Sequence, residues 1–337
     1  MLKIVGPLFI VLALLVSMIT GCSSKAASNT VRLVPEGANL LAQINFNKII
    51  TDEEITELYD KAPKDWYHPR TVEELRASIQ DELDIDLTEL NTITIFSVTS
   101  AFDGEDSIDN MVIILEGSFD GDALLAAIED KVVEAHAYME VPEYKGYDVY
   151  VIEESEVVFV FLSDNMLAIG PQVLIEEVID VAKGDRKALS GVVLDTFNDL
   201  DEALLKVAAE TVSSGQADEK LPDEVGEFLG DLSAFEDVKT VGVTLGREKG
   251  RENESLALDI QLCTADSASA EAMEQAVRGM VVFVQLLASL SEDSEVPEWL
   301  LSVLEDLAIS RSGSCVTINL DMTFSEIRGL IAEGLGR

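Results

Sequence analysis

The chain is poor in the residues that most often carry chemistry. Only three of its 337 residues are cysteine and two are histidine. No CxxC pair occurs, and His68 and His136 stand apart from each other and from any Glu-His pair, so no zinc or other metal site and no cofactor site is read. Basic residues number 23 against 64 acidic ones, a formal net charge of −41. Phosphate backbones would be repelled at every approach, which excludes nucleic acid as a partner. Anionic lipid heads are an equally poor bed for such a surface. There is no G-x-S-x-G elbow, no Gly-rich phosphate loop and no H-E-x-x-H. With 64 carboxylates, a pair close in sequence says nothing about catalysis.

What is present is a core. Hydrophobic residues make up 47% of the chain, too many for a disordered acidic tail. The length fits one large domain or two of about 150 residues.

The first residues carry an address. Lys3 precedes an apolar run from Ile4 to Ile19, shorter than the ~20 residues a spanning helix needs. This is the layout of an export signal, and it ends in Ile19-Thr20-Gly21-Cys22. The segment resembles the lipobox of bacterial lipoproteins, in which an apolar residue and two small ones precede the cysteine. Ile19 stands where leucine is more usual. The resemblance implies removal of residues 1–21 as a signal peptide and lipidation at Cys22. It also implies a partner, the membrane, held through acyl chains. The alternatives at this end are an ordinary cleaved signal or an uncleaved anchor. Residues 22–30 then read as a polar, flexible tether, about 15 Å on average. The body would stay near the cell membrane or outer membrane, facing outside the cytoplasm.

Patterning predicts an α+β fold of antiparallel sheet with packed helices. Strands are predicted at 39–46, 92–99, 110–117, 147–153, 156–162 and 166–169, with helices at 53–61, 71–83, 120–136 and 171–182. The second half reads helix at 195–213 and 223–233, strands at 238–246 and 255–263, and helices at 266–290 and 297–305. Strands at 307–311 and 314–322 and a helix at 324–335 close it. Both halves alternate helices with hairpins at offsets near 150 residues, which suggests a duplicated unit, 31–186 and 187–337. Chance alternation in an α+β chain is the other account. The seam falls at Lys183-Gly184-Asp185-Arg186 or at Ser190-Gly191.

Strand patterns differ between the halves. Met111–Leu115 and Val157–Leu162 are continuous apolar runs, as strands covered on both faces require. Leu256, Leu258, Ile260 and Leu262 alternate with Ala257, Asp259, Gln261 and Cys263. Val316, Ile318, Leu320 and Met322 alternate with Cys315, Thr317, Asn319 and Asp321. Pairing these two strands with Cys263 opposite Cys315 also superposes their apolar faces, so a disulfide between the two is a candidate. The helix at Met273–Leu290 is apolar almost all round and reads as a central core helix, or as one wall of an apolar pocket.

Three weaker features complete the reading. Trp66, Tyr67 and Arg70 form a candidate interface in an aromatic-poor chain; the other account is a loop whose rings cap the flanking helices. The acidic turns Asp103–Asn110 and Asp81–Asp86 offer loose divalent-cation binding, without EF-hand spacing. The polar strand face at Asp259, Asn319 and Asp321 is compatible with a hydrolase site, or with a solvated sheet. The sequence therefore points to a lipid-anchored, extracytoplasmic, non-catalytic binding or structural module, not an enzyme, whose protein or small-ligand partner is unknown. A carrier of lipid or another apolar ligand and an extracytoplasmic hydrolase are the alternatives.

Overall fold

The structure, a computed structural model, describes residues 29–61, 69, 71–98, 110–153, 155, 157–211, 235, 237–248, 255–290, 303–305 and 307–334. In chain order the first half holds β1 (Leu40–Ile44), α1 (Phe46–Ile50), α2 (Glu53–Lys61), α3 (Val72–Leu83), β2 (Leu90–Ser97), β3 (Met111–Gly117) and α4 (Gly121–Glu134). There follow β4 (Met139–Glu140), β5 (Glu143–Tyr144), β6 (Tyr147–Ile152), β7 (Val157–Ser163), β8 (Met166–Pro171) and α5 (Gln172–Lys183). The second half holds α6 (Val192–Asp199), β9 (Leu205–Glu210), β10 (Val238–Glu248), β11 (Ser255–Thr264) and α7 (Ser267–Leu290). It closes with β12 (Ala308–Ser312), β13 (Cys315–Thr323) and α8 (Phe324–Gly334). The fold is α+β, as the patterning predicts.

Helix starts are set by local chemistry. The Thr71 hydroxyl accepts from the Glu74 N–H, and the Asp120 carboxylate accepts from the N–H groups of Asp122 and Ala123. Thr323 and Glu326 form a reciprocal capping box at α8. At the far end of α4, His136 takes a left-handed conformation and closes the helix, its N–H on the Val133 carbonyl and that of Ala137 on Val132.

One antiparallel sheet runs through both halves in the order β12-β13-β11-β10-β9-β1-β2-β3-β8-β7-β6-β4. At its centre β1 pairs with β9, Leu41 opposite Ala208. On one side of that junction lie β1-β2-β3-β8-β7; on the other lie β9-β10-β11-β13-β12. Each five-strand set has the same connectivity: three strands, a helix, then a hairpin whose second strand returns beside the third. The central antiparallel pair relates the two sets by a two-fold axis through the sheet. The predicted seam at 183–191 is a connection within one sheet. The seam is also stitched to the N-terminal segment, with Glu36 N–H on the Lys187 carbonyl and Leu189 N–H on Val34.

The sheet has a front face, carrying α1–α4, and a back face, carrying α5, α6 and the 3-10 turn Asn29–Leu33. Strand β3 serves both faces, with Ile113 and Leu115 in the front core and Val112 and Ile114 in the back core. The continuous apolar run thus has its physical reason. Helix α7 repeats the placement of α4 on the front, with Ala270, Met273 and Val277 against Val316 and Leu262.

Three expectations are corrected. Residues 205–210 form a strand, not the middle of a helix spanning 195–213; the helix ends at Asp199 and Leu200 turns extended. The tether does not reach residue 30, because Thr30 is fully buried with its hydroxyl 2.6 Å from that of Thr94. Helix α7 is not central, since Val282 is 62% exposed. The structure adds that α8 lies on the front whereas α5 lies on the back: Phe324 joins the front core. The back face of β11 and β13, with Asp259 and Gln261 beside Asn319 and Thr317, is polar and gives an amphipathic helix little to bury against. The helices predicted at 223–233 and over most of 297–305 lie outside the described residues.

Candidate functional site

One register line on the back face crosses eleven strands and changes character at the middle. It runs Val149, Val160, Ala168, Ile114, Thr94, Gln43, Lys206, Thr244, Asp259, Asn319, Ala308. The first four are covered by α5 and the N-terminal segment. From Thr94 to Asn319 the line is polar, and its half-buried end at Asp259 and Asn319 is followed by the exposed Ala308.

The polar stretch is internally bonded. The Asp259 carboxylate accepts from Asn319 Nδ2 on one oxygen and from Thr244 Oγ1 at 3.1 Å on the other. Lys206 points its Nζ to the Leu200 carbonyl at 3.0 Å and lies over the Phe197 ring, 4.5 Å from the centroid. Burial lowers its pKa below the ordinary lysine value, against the smaller pull of Glu202 and Asp201. The close seat of α6 beside it depends on Gly242, where a Cβ would come 2.7 Å from a Leu200 methyl, and on the buried Thr196–Thr240 hydroxyl pair at 3.0 Å. Asp321 lies on the same face one step along, opposite Ala257. The structure therefore brings Asp259 and Asn319 together. Both oxygens of Asp259 are engaged by neighbours in the sheet, which suits a hydrogen-bonding surface better than a general base.

At the end of this face Cys263 stands opposite Cys315, and the two are joined, S–S 2.08 Å. The same ladder sets Leu262 opposite Val316, Ile260 opposite Ile318 and Leu258 opposite Leu320. That is the register the alternation specifies.

The front face of the same strands is aliphatic and incompletely covered. Val243, Leu258, Ile260, Ile318 and Leu320 are half-buried, whereas their counterparts Ile93, Ile95, Ile113, Leu115 and Ile169 are buried.

The remaining sequence candidates fare differently. Cys22, Trp66, Tyr67, His68, Arg70 and the turn Asp103–Asp109 lie outside the described residues. Asp84 and Asp86 are engaged at helix termini, Asp84 with Gln80 Nε2 and Asp86 with Thr88. Among the described residues no group of three His, Cys, Asp or Glu side chains is placed to hold a metal ion. Among the same residues no helix is long and apolar enough to cross a membrane. Lys206 was missed in the sequence, because the residues around it read as a helix.

No family model matches the chain, and no curated protein matches its sequence. Among solved structures it is similar to crystal form III of TP0453, with TM-score 0.45 and 9% identity over 92% of this chain and 100% of that one. Crystal form I of TP0453 gives TM-score 0.42 and 10% identity over 92% of this chain and 99% of that one. A likeness at this level carries no argument about function.

Proposed function

We propose that this chain is a lipid-anchored, extracytoplasmic module that binds or scaffolds and does not catalyse. The observation that carries the reading is the closure of Cys263 on Cys315. Such bonds persist in oxidising compartments outside the cytoplasm, and the pairing leaves Cys22, behind its apolar leader, as the one cysteine for lipid. The bonded polar face around Asp259 supports a surface that recognises a partner by hydrogen bonds. Mass spectrometry of the N-terminal peptide tests the anchor. A diacylglyceryl adduct on Cys22, with no residue before it, is expected, and the Cys22→Ser protein is expected to leave the membrane fraction. An unmodified, soluble mature form would overturn the reading.

A second reading, a carrier of an apolar ligand, is favoured by the half-buried aliphatic front of β10–β13. Saturable, one-to-one uptake of an apolar fluorescent probe by the Cys22→Ser protein would select it.

A further inference from the structure

We infer that the anchor fixes which face of the body meets the lipid: the back face, with α5 and α6, is turned toward the bilayer, and the front helices α3, α4 and α7 look away from it. The inference rests on lipidation at Cys22. Its geometric basis is the docking of the N-terminal segment. Thr30 is fully buried on the back face against Thr94, and Val31 and Val34 pack into the back core beside α5.

From Cys22 to Thr30 the chain has eight Cα–Cα steps, at most about 28 Å whatever path they take. For the front helices to lie on lipid, that stretch would have to pass around the sheet. Thr94 sits near the middle of β2, and the edge strand β4 is the fifth strand on from it. The way round that edge is therefore about 24 Å before any depth is crossed. Over the nearer strand end, at Ser97, the detour is about 10 Å, and the sheet with a front helix layer adds about 20 Å. Both routes exceed the reach, whereas a bilayer against the back face needs no detour.

The local charge agrees. Beside this docking point Lys145 bridges Asp180 at 2.8 Å and Asp185 at 2.6 Å, and Arg186 meets Glu177 at 2.6 Å. Cations there offset carboxylates in a chain that carries −41 overall.

Two valines make a matched pair of probes. Val173 on α5 is 69% exposed on the back, and Val133 on α4 is 70% exposed on the front. The lipidated, full-length mature protein, its disulfide left closed, is labelled with a fluorophore at Val173→Cys or Val133→Cys. It is then reconstituted in neutral phosphatidylcholine vesicles containing a headgroup-bound quencher. Quenching at position 173 is expected to be at least twofold stronger than at 133. Equal quenching, or stronger quenching at 133, in protein that floats with the vesicles overturns the orientation and leaves the anchor standing. Protein that carries no lipid and does not float overturns both.

Discussion

Arg247 donates to the carboxylate of Asp52, joining β10 in the second half of the chain to the N-terminal cap of α2 in the first. The same guanidinium lies over the Phe324 ring, 4.8 Å from its centroid, and reaches Glu54 at 3.3 Å. Asp52 also accepts from the N–H groups of Glu54 and Ile55, so one carboxylate caps a helix and receives a cation from across the sheet. Arg247, Asp52 and Phe324 together hold α8 on the front of the sheet. The side chains of Arg247 and Asp52 are only 17% and 18% exposed.

Removing one partner of such a pair leaves a poorly hydrated charge. Arg247→Ala is therefore expected to lower unfolding stability by about 3 kcal/mol, part of it from lost packing on Phe324. Arg328, which meets Glu57 at 3.0 Å with the two side chains 33% and 45% exposed, is the more solvated comparison. Arg328→Ala should change stability far less. Urea melts of both variants check this; equal losses would show that the clamp is no more than another surface pair.

Much of this arrangement was legible in the sequence, for reasons that can be located. The register of β11 on β13 follows from strict alternation, because a slip of one residue would turn Leu258, Ile260 and Leu262 to the polar side. Strand β9 was not legible. Leu205-Lys206-Val207-Ala208-Ala209-Glu210 is rich in helix formers, and its strand form comes from pairing with β1 and β10 on either side. The repeat held a usable signal: if β1 opens the first unit, a strand should precede β10 in the second. The side on which α8 packs could not be read, since it depends on Arg247, Asp52 and Phe324 meeting across long separations. The face polarity that excludes α8 from the back was visible at Asp259 and Asn319. Its consequence needed the order of strands.

Glu274 on α7 ties the edge strand β12 to the body. It accepts from Arg278 at 2.9 Å and from Arg311 Nε at 3.1 Å, while Arg278 also donates to the Ile309 carbonyl at 2.6 Å. An arginine on that carbonyl blunts an edge that could otherwise pair with another chain. Arg278 first and Arg311 second hold the Glu274 carboxyl below the ordinary glutamate value. A carboxylate depressed in the folded state contributes stability that is complete above the unfolded pKa, about 4.3, and is lost as pH falls through the folded one. Glu274→Gln should therefore melt below the wild type at neutral pH, with the difference closing on acidification from about pH 4 downward. A difference that stays constant across that range would sink the assignment.

Removal of Lys3 with the leader would take the net charge from −41 to −42, since no other charged residue precedes Cys22. Self-repulsion of that size opposes the compact state and is screened as the Debye length falls from about 30 Å at 0.01 M to about 8 Å at 0.15 M. The melting temperature should rise between about 10 and 200 mM NaCl. Calcium or magnesium should raise it more per mole, whatever site they occupy. A flat or falling melting temperature over the sodium range would show that the paired clusters, such as Lys145 with Asp180 and Asp185, already offset the excess.

The disulfide gives the last test. Cys263 and Cys315 are 52 residues apart and close a loop that contains α7 and the edge strand β12. Cross-linking a loop of that length restricts the unfolded chain by about 3–4 kcal/mol in the chain-entropy model. The double variant Cys263→Ser/Cys315→Ser should lose about that much stability, and the loss should appear in the wild type on reduction. Because Thr264 N–H and the Ser314 carbonyl continue the ladder past the bridge at 2.9 Å, the strands should stay paired without it. Amide exchange along β11 and β13 would then quicken without becoming unprotected. Thiol titration of the unfolded, unreduced mature protein decides whether the bond exists in the protein as made. With Cys22 lipidated as proposed and the other two joined, no reactive thiol is expected. Two reactive thiols would remove the bridge and, with it, the strongest support for a compartment outside the cytoplasm; one would point to a bare Cys22 and leave the bridge in place.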